Sequence, residues 1–324
     1  MRVLVCGGAG YIGSHMNKML AEHGHEVVVM DNLSRGYREA VQWGEFVQCD
    51  LRDPDGLDAL FAKHRIDAVM HFSALIAVGE SVEQPDIYYE NNVVGTFNLV
   101  QAMAKANVPK IVFSSTAAVY GEPESDMLTE NDPIRPLNAY GRTKAVMEGL
   151  LADYAVAYGL KSVCFRYFNA AGADPSGCIG EAHDPETHLI PLALMAAQGS
   201  RGELAVFGTD YPTHDGTCVR DYIHINDICS AHLKAIDYMD AKEGAHVFNL
   251  GNGKGFTVLE VLESIAEVTG LKVPHSMAER RPGDSPYLVA DSTRAGEILG
   301  WTPQYTNLSE IIETAWRWQS DRKY

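Results

Sequence analysis

A tyrosine and a lysine four residues apart are well suited to acid–base chemistry. Tyr140 and Lys144 fall in a stretch with helical character, about Ala139 to Tyr158, so they share one helix face, one turn apart. A phenol has an ordinary pKa of about 10, and a neighbouring ammonium lowers that pKa by favouring the phenolate. The pair therefore predicts a site of proton transfer. The same spacing is also typical of two side chains on a solvated helix face.

Three hydroxyl side chains precede this helix. Ser114, Ser115 and Thr116 stand at the end of the apolar run KIVFS, which predicts a strand. In a doubly wound sheet, the carboxyl ends of the strands converge on the ligand crevice. We therefore expect a hydroxyl from this segment to share a substrate proton with Tyr140.

A glycine-rich turn follows the first predicted strand and opens the first predicted helix. It satisfies both GxGxxG and GxxGxxG through Gly7, Gly8, Gly10 and Gly13. Glycine keeps such a turn tight and lets the backbone approach a pyrophosphate at the helix N-terminus. The turn predicts a dinucleotide site.

Acidic residues after the next two strands refine this prediction. Asp31 ends the second predicted strand, where a carboxylate bonds an adenosine ribose hydroxyl and repels the 2′-phosphate of NADP. We therefore expect NAD, although the nearby Arg35 is of a type that accepts this phosphate. Asp50 follows the third predicted strand, where it either meets the adenine or serves as an ordinary turn residue.

Short apolar strands alternate with helical stretches through the first half of the chain. Besides RVLVC at the start, the predicted strands are Glu26–Met30, Glu45–Cys49, Ala68–Phe72, Lys110–Ser114 and Ser162–Phe165. This alternation predicts an α/β fold with a doubly wound, Rossmann-like parallel sheet covered on both faces.

The second half has a different character. Residues 170–186 are rich in Gly, Pro, Ala and Asp and predict a loop, after which strand-like and helical pieces resume. We expect an NAD-binding Rossmann domain over 1–168 and a smaller, mixed α/β substrate lobe over 169–324. The segment 225–250 is expected to return to the large sheet.

Composition restricts the partners. The net charge of −17 argues against nucleic acid or an anionic membrane as the main partner. The six cysteines form no CxxC pair, no His/Cys cluster has zinc spacing, and we expect no metal. No apolar stretch reaches the ~18 residues that span a bilayer, and Met1 leads almost directly into a strand, so we expect a cytoplasmic protein.

Taken together, these motifs resemble the extended short-chain dehydrogenase/reductase superfamily. Further segments resemble the UDP-glucose 4-epimerase (UDP-galactose 4-epimerase) family within it, from Met1 to about Trp301. They are VGES at 78–81, YENNV at 89–93, STAAVYG at 115–121, RYFN at 166–169, VRDYIH at 219–224 and RPGD at 281–284.

This resemblance implies residue roles. Tyr140 would be the acid/base on the sugar 4-hydroxyl, Lys144 would lower its pKa and bond the nicotinamide ribose, and Thr116 would shuttle the proton. The implied NAD contacts, besides Tyr140 and Lys144, are Gly7, Gly10, Tyr11, Ile12, Gly13, Asp31, Asn32, Asp50, Leu51, Phe72, Asn92 and Phe168. The implied substrate contacts, besides Thr116 and Tyr140, are Asn169, His188, Leu189, Arg220, Arg281, Asp284 and Leu288.

Three positions depart from the pattern of some family members. Ile76 stands where some members carry a lysine that contacts the cofactor, and His188 stands where some have an asparagine that touches the substrate. Leu288 aligns with a residue that controls the size of the sugar and is either a bulky tyrosine or a small residue. Its intermediate size leaves N-acetylated sugars open.

The activity implied by the resemblance is NAD-dependent interconversion of UDP-glucose and UDP-galactose through a 4-keto sugar. A 4,6-dehydratase needs an Asp-Glu pair where this chain has Ala117 and Ala118. Epimerisation of UDP-N-acetylhexosamines or UDP-pentoses, and decarboxylation of UDP-glucuronate, use the same scaffold and stay open. A non-catalytic dinucleotide sensor would not need the Tyr140–Lys144 pair. The resemblance also implies a homodimer through the helix 139–158.

Overall fold

The structure is a computed structural model that describes residues 1–281 and 284–324. Pro282 and Gly283 of the RPGD motif lie outside the described residues. In chain order the strands are β1 (Arg2–Cys6), β2 (Glu26–Asp31), β3 (Glu45–Gln48), β4 (Ala68–His71), β5 (Lys110–Ser114), β6 (Met127–Leu128), β7 (Lys161–Tyr167), β8 (Asn169–Ala171), β9 (Leu204–Phe207), β10 (Val219–His224), β11 (Ala245–Leu250), β12 (Gly255–Thr257), β13 (His275–Ala278) and β14 (Tyr287–Ala290).

The helices are α1 (Tyr11–Glu22), α2 (Pro54–Lys63), α3 (Val78–Glu83), α4 (Pro85–Tyr88), α5 (Gly95–Lys105), α6 (Ala139–Tyr158), α7 (Leu189–Ala197), α8 (Ile225–Ala241), α9 (Val258–Thr269), α10 (Thr293–Leu299) and α11 (Leu308–Ser320). A π-helical segment, Tyr89–Val94, joins α4 to α5. Among the helices of the described ranges, none combines the length and the apolarity that crossing a bilayer requires.

Seven parallel strands form the large sheet in the order β11-β7-β5-β4-β1-β2-β3. Alternate residues of β1 enter different cores: Val3 and Val5 pack with α1 and α8, whereas Leu4 and Cys6 pack with α2, α5 and α6. A sheet buried on both faces explains why the strands read as continuous apolar runs. The predicted α/β fold class is confirmed.

Helix α6 is found over the predicted residues. The Asn138 side chain accepts from the Gly141 N–H at 2.8 Å and caps the start, and Gly159 ends the helix with φ of +69°. Met147 and Leu151 face the core, whereas Val156 is exposed. Because both ends are fixed by local residues, the position of Tyr140 in the first turn is well defined.

The second lobe contains a smaller sheet in the order β12-β10-β14-β6, with β8 paired to β10. A separate pair, β9 and β13, is also parallel. Helices α7, α9 and α11 pack together in one apolar core beneath these strands. This lobe combines short strands and helices, and β10 is its central strand.

Two pairings cross the predicted lobe boundary at residue 168. Strand β11 forms an edge of the large sheet beside β7, and β6 from the first half pairs with β14. The loop predicted over 170–186 is found from residue 172 onward, whereas Ala170 and Ala171 belong to β8 because they pair with β10. The exact division into domains stays a prediction.

Candidate active site

The glycine turn lies at the carboxyl end of β1 and leads into α1. Gly7 has φ of +78°, and a Cβ on Gly13 would stand 2.2 Å from the Gly7 carbonyl oxygen, so glycine is required at both positions. No side chain caps the start of α1. The first N–H groups of this helix are therefore available to an anion, and the turn suits a pyrophosphate.

Asp31 lies at the end of β2 and forms a hydrogen bond to the glycine turn. Its carboxylate accepts from the Ala9 N–H at 3.0 Å and from the Leu33 N–H at 2.8 Å. Burial raises the pKa of Asp31, and these backbone donors oppose that rise. Arg35 forms an ion pair with Glu80 at 2.9 Å. Since Glu80 already neutralises Arg35, the residues present fit NAD better than a cofactor with a 2′-phosphate.

Asn32, Asp50 and Leu51 follow the ends of β2 and β3. Asn32 donates to the Asp50 carboxylate at 2.8 Å, and Arg52 also binds Asp50. Hydrogen bonds from Arg52 hold the pKa of Asp50 well below its ordinary value. Leu51 is buried in the core that lies under α2 and α5. Asp50, Leu51 and Asn32 therefore lie together at the strand edge, as expected, and their contact with adenine stays a prediction.

Asn92 lies in the π-helical segment and links the loop that follows β4 to α6 through hydrogen bonds. Its amide oxygen accepts from the Leu75 N–H at 2.8 Å, and its amide nitrogen donates to the Leu75 carbonyl and to the Thr143 hydroxyl. Phe72 leaves β4 next to the glycine turn, where Ser73 approaches Gly7. Ile76 is 42% exposed. These residues border the predicted nicotinamide end of the site.

Tyr140, Lys144 and Thr116 meet where β5 ends against α6. The Lys144 ammonium donates to the Ser114 carbonyl at 2.7 Å and lies 5.9 Å from the centroid of the Tyr140 ring. Thr116 is buried, its hydroxyl accepts from the Ala118 N–H at 3.1 Å, and its side chain contacts the Tyr140 phenol. The structure thus brings all three predicted catalytic residues together.

Burial shapes the ionisation of the pair. It raises the pKa of Tyr140 to about 12, against the hydrogen-bonding effect of Thr116. It lowers the pKa of Lys144 to about 7, against the charge of Glu148. A phenol with a raised pKa needs a nearby positive charge to act as a base near neutral pH. The buried Lys144, 5.9 Å from the centre of the Tyr140 ring, is placed to provide it.

The predicted substrate residues gather around β10. In its register Arg220 is paired with Leu288 of β14, and Tyr222 with Asn169 of β8. Asn169 donates to the Asp221 carbonyl at 2.9 Å. Leu288 packs in one apolar cluster with Phe168 and Ala117, next to Thr116. Strands β8, β10 and β14 therefore bring Asn169, Arg220 and Leu288 to the side of the molecule that carries Thr116.

Asp284 joins the two arginines. Its carboxylate lies 3.3 Å from an Arg220 guanidinium nitrogen and 3.0 Å from an Arg281 nitrogen. Arg220 is mostly buried, whereas the Arg281 side chain is largely exposed. Two guanidinium groups on one side of the crevice suit a diphosphate.

His188 immediately precedes α7, and Leu189 is the first residue of that helix. The imidazole contacts Glu181 and Glu186 at 2.8 and 3.0 Å, and these carboxylates outweigh burial and raise the pKa of His188 to about 10. His183 contacts the same two carboxylates. Sequence analysis singled out His188 alone, because the family resemblance implies a substrate contact at that position and no motif includes the other three.

The sequence analysis also did not predict the buried ion pair of Arg166 and Glu148, which lies behind the catalytic residues. Arg166 donates to Glu148 at 3.0 Å and to the Tyr120 hydroxyl at 3.0 Å, and Ser115 donates to Glu148 as well. Glu148 lies one turn beyond Lys144 on α6. The signal in the sequence was a charged residue, Arg166, inside an apolar strand.

Comparison with known proteins decides the family. Residues 3–251 match the NAD dependent epimerase/dehydratase family. A UDP-glucose 4-epimerase of Halalkalibacterium halodurans is 50% identical over 324 residues, which covers 100% of this chain and 97% of that protein. The chain belongs to the UDP-glucose 4-epimerase family. The predicted resemblance is therefore confirmed.

Solved structures agree with this assignment. The Brucella ovis UDP-glucose 4-epimerase in complex with NAD has a TM-score of 0.95 and 50% identity, covering 97% of each chain. The Bifidobacterium longum enzyme in complex with NAD+ and UDP has a TM-score of 0.94 and 38% identity, covering 99% of each chain. As a member of this family, the chain is an NAD-dependent epimerase, and the predicted cofactor is confirmed.

Proposed function

We propose that this chain interconverts UDP-glucose and UDP-galactose by inverting C4 through a 4-keto sugar, with Tyr140 as the acid/base. The supporting observation is the convergence of Tyr140, Lys144 and Thr116 at the sheet edge that also carries the glycine turn. Hydride transfer needs a dinucleotide, and proton transfer needs a base beside the same carbon.

NAD would be held by the backbone of the glycine turn, the N–H groups that open α1, and Asp31. Bound NAD supplies a positively charged ring that accepts a hydride from C4 and returns it. Lys144, through its position between Ser114 and the Tyr140 ring, would bond the nicotinamide ribose and favour the phenolate.

Tyr140 would take the proton from the 4-hydroxyl and later return it to the same oxygen, once the opposite face of C4 has been reduced. Thr116 contacts the phenol and shares that proton. Asn169, Arg220, Arg281 and Asp284 hold the UDP group, so that the flat ketose turns about its phosphate bond without leaving. The UDP in the Bifidobacterium longum structure supports this assignment of the anchor.

The size of the Leu288 side chain supports a second class of substrate. This side chain is smaller than that of tyrosine, is partly buried and packs against the same apolar cluster as Phe168, near the expected sugar position. A smaller side chain leaves more room at the sugar for an N-acetyl group. The same chemistry would then epimerise UDP-N-acetylhexosamines.

The decisive experiment is chromatography of products from UDP-glucose, UDP-N-acetylglucosamine and UDP-xylose with purified protein and no added NAD. UDP-galactose is expected from UDP-glucose. Absence of UDP-galactose, or release of a dehydrated product, would overturn the proposal. Conversion of the N-acetylated sugar tests the role of Leu288 separately.

We also propose a homodimer built on α5 and α6. Phe97 on α5 and Val146 on α6 are exposed apolar side chains on two helices that pack together. Sedimentation velocity should give a dimer for the wild type and a smaller species for Phe97→Glu. Ile298→Glu, which changes an exposed side chain on α10, is the control and should stay dimeric.

A cytoplasmic location is likewise proposed, and cell fractionation tests it.

A further inference from the structure

Two histidines and two glutamates converge between β8 and α7. Each of Glu181, His183, Glu186 and His188 offers one ligand atom, and these atoms lie within 4.8 Å of one another. The Nδ1 atoms of both imidazoles face the same two carboxylates, at 2.8 to 3.6 Å. No role in the proposed epimerisation uses this convergence, apart from the expected substrate contact of His188.

The spacing matches a tetrahedral cation site. Bonds of about 2.0–2.2 Å from Zn²⁺ to imidazole nitrogen and carboxylate oxygen place neighbouring ligand atoms roughly 3.3 Å apart. The four nitrogen-to-oxygen distances bracket this value. The four ligand atoms together spread over as much as 4.8 Å, so the side chains would draw closer to surround one ion.

The charge of the cluster is also compatible with a cation. Glu181 is buried, the Glu186 side chain is almost as inaccessible, and two buried carboxylates need positive charge close by. Within residues 1–281 and 284–324, neither carboxylate forms an ion pair with a lysine or arginine. One divalent cation, bound by neutral imidazoles, would replace the positive charge that the two histidines otherwise supply to these carboxylates.

The backbone already orients one ligand. The Glu186 Oε1 atom accepts from the Thr187 N–H at 2.7 Å and from the His188 N–H at 2.9 Å. Such outer contacts fix a carboxylate for metal binding. Its Oε2 atom faces His183. The His183 ring also packs edge-on against Tyr11, the first residue of α1, with centroids 6.3 Å apart.

We propose that Glu181, His183, Glu186 and His188 form a structural Zn²⁺ site. The site joins the segment after β8 to the start of α7 and holds both against the first turn of α1. It departs from the expectation from sequence that the chain binds no metal. The proposal does not depend on the substrate, because a structural metal acts on the fold with or without catalysis.

The test is the zinc content of tag-free holoenzyme after exposure to excess Zn²⁺ and removal of loosely bound ion. We expect about one Zn²⁺ per chain, following the four-ligand count. His183→Ala and Glu186→Gln should each weaken Zn²⁺ binding by at least the roughly 10- to 100-fold that loss of a supporting partner costs. Glu186→Gln keeps the shape of the side chain, and retained NAD reports that each variant is folded.

His214→Ala is the matched control. His214 lies between Asp215 and Glu260 at 3.9 and 3.5 Å, but its side chain is 65% exposed. It should keep full Zn²⁺ binding, and Co²⁺ in place of Zn²⁺ should give the visible bands of tetrahedral coordination in wild type and control alone. Wild-type protein without stoichiometric Zn²⁺, or equal binding by His183→Ala, would overturn the proposal and leave an ion-pair network.

Chelation provides a second readout. Removing a ligand that binds only the folded state lowers the thermal midpoint. A chelator should therefore lower the midpoint of wild type and of His214→Ala, with no shift in Glu186→Gln. An equal shift in all three proteins would contradict the assignment.

Discussion

Tyr140 illustrates how a single side chain depends on its surroundings. Its position in the first turn of α6 and its partner at i+4 are visible in the sequence. Burial that raises the pKa of the phenol to about 12 is visible only in the structure. Lys144, held by the Ser114 carbonyl, lies where it can counter this effect. The acid/base role therefore rests on the pair and not on the tyrosine alone.

Tyr140→Phe should reduce turnover of UDP-galactose by about two to four orders of magnitude, the usual share of acid–base catalysis. The ring is kept, so NAD content should stay close to that of wild type. Steady-state kinetics and absorbance of the purified protein measure both. Tyr158→Phe is the control, because that phenol is on the same helix and is 71% exposed. Full turnover in Tyr140→Phe would remove the residue from the mechanism.

Asp174 is a residue whose charge stabilises the fold. It is buried and forms an ion pair with Lys18 of α1 at 3.0 Å. Burial raises the pKa of Asp174, but hydrogen bonds from Ser176 and the contact with Lys18 outweigh it and hold the pKa below its ordinary value. A carboxyl with a lowered pKa in the folded state stabilises that state above its unfolded pKa and loses this effect on acidification.

Asp174→Asn should therefore lower the free energy of unfolding by about 1–3 kcal/mol near pH 7, the cost of losing hydrogen bonds to a buried charge. The difference from wild type should shrink as the pH falls below about 4. Urea unfolding at several pH values measures this. Asp321→Asn, at an exposed position, should behave like wild type. A difference that does not change with pH would contradict the electrostatic explanation.

At the scale of elements, local signals predicted most of the sheet and α6. Apolar runs gave the strands of the first half, and Asn138 and Gly159 define α6 through local capping. The π-helical segment at Asn92 has no such local signal, because Asn92 is held by Leu75 and Thr143 from other elements. The pairing of β6 with β14 is likewise set by contacts distant in sequence.

The substitution Gly13→Ala tests whether the glycine turn holds the cofactor. In Gly13→Ala the added Cβ would meet the Gly7 carbonyl at 2.2 Å and the Gly8 Cα at 2.7 Å. We expect a loss of about 1–3 kcal/mol in the free energy of unfolding, the cost of overpacking, together with loss of bound NAD.

Gly296→Ala is the control, because the nearest neighbour of its added Cβ is the Trp301 carbonyl oxygen at 3.5 Å, an ordinary contact. This change within α10, away from the proposed dimer helices, should raise stability by roughly 0.5–1 kcal/mol and leave NAD content unchanged. Urea unfolding and absorbance of the retained cofactor compare the two variants. Full NAD content in Gly13→Ala would show that the turn does not approach the pyrophosphate.

At the scale of the whole molecule, the fold brings distant segments to one crevice. The parallel strands place the glycine turn, Asp31, Phe72, Thr116 and Phe168 at a common edge, which the sequence predicts through the general geometry of such sheets. The cluster of Glu181, His183, Glu186 and His188 was not predictable in this way. It forms on a segment without regular structure, where no repeating pattern indicates which side chains meet.

The central claim is that one protein molecule removes a hydride from C4 and returns it to the same carbon. The direct measurement uses UDP-galactose with deuterium at C4, purified enzyme and no added NAD. The account predicts UDP-glucose that retains the deuterium at C4, with none released to water or to free dinucleotide. Loss of the label from the product, or its appearance in free NADH, would contradict an internal hydride cycle.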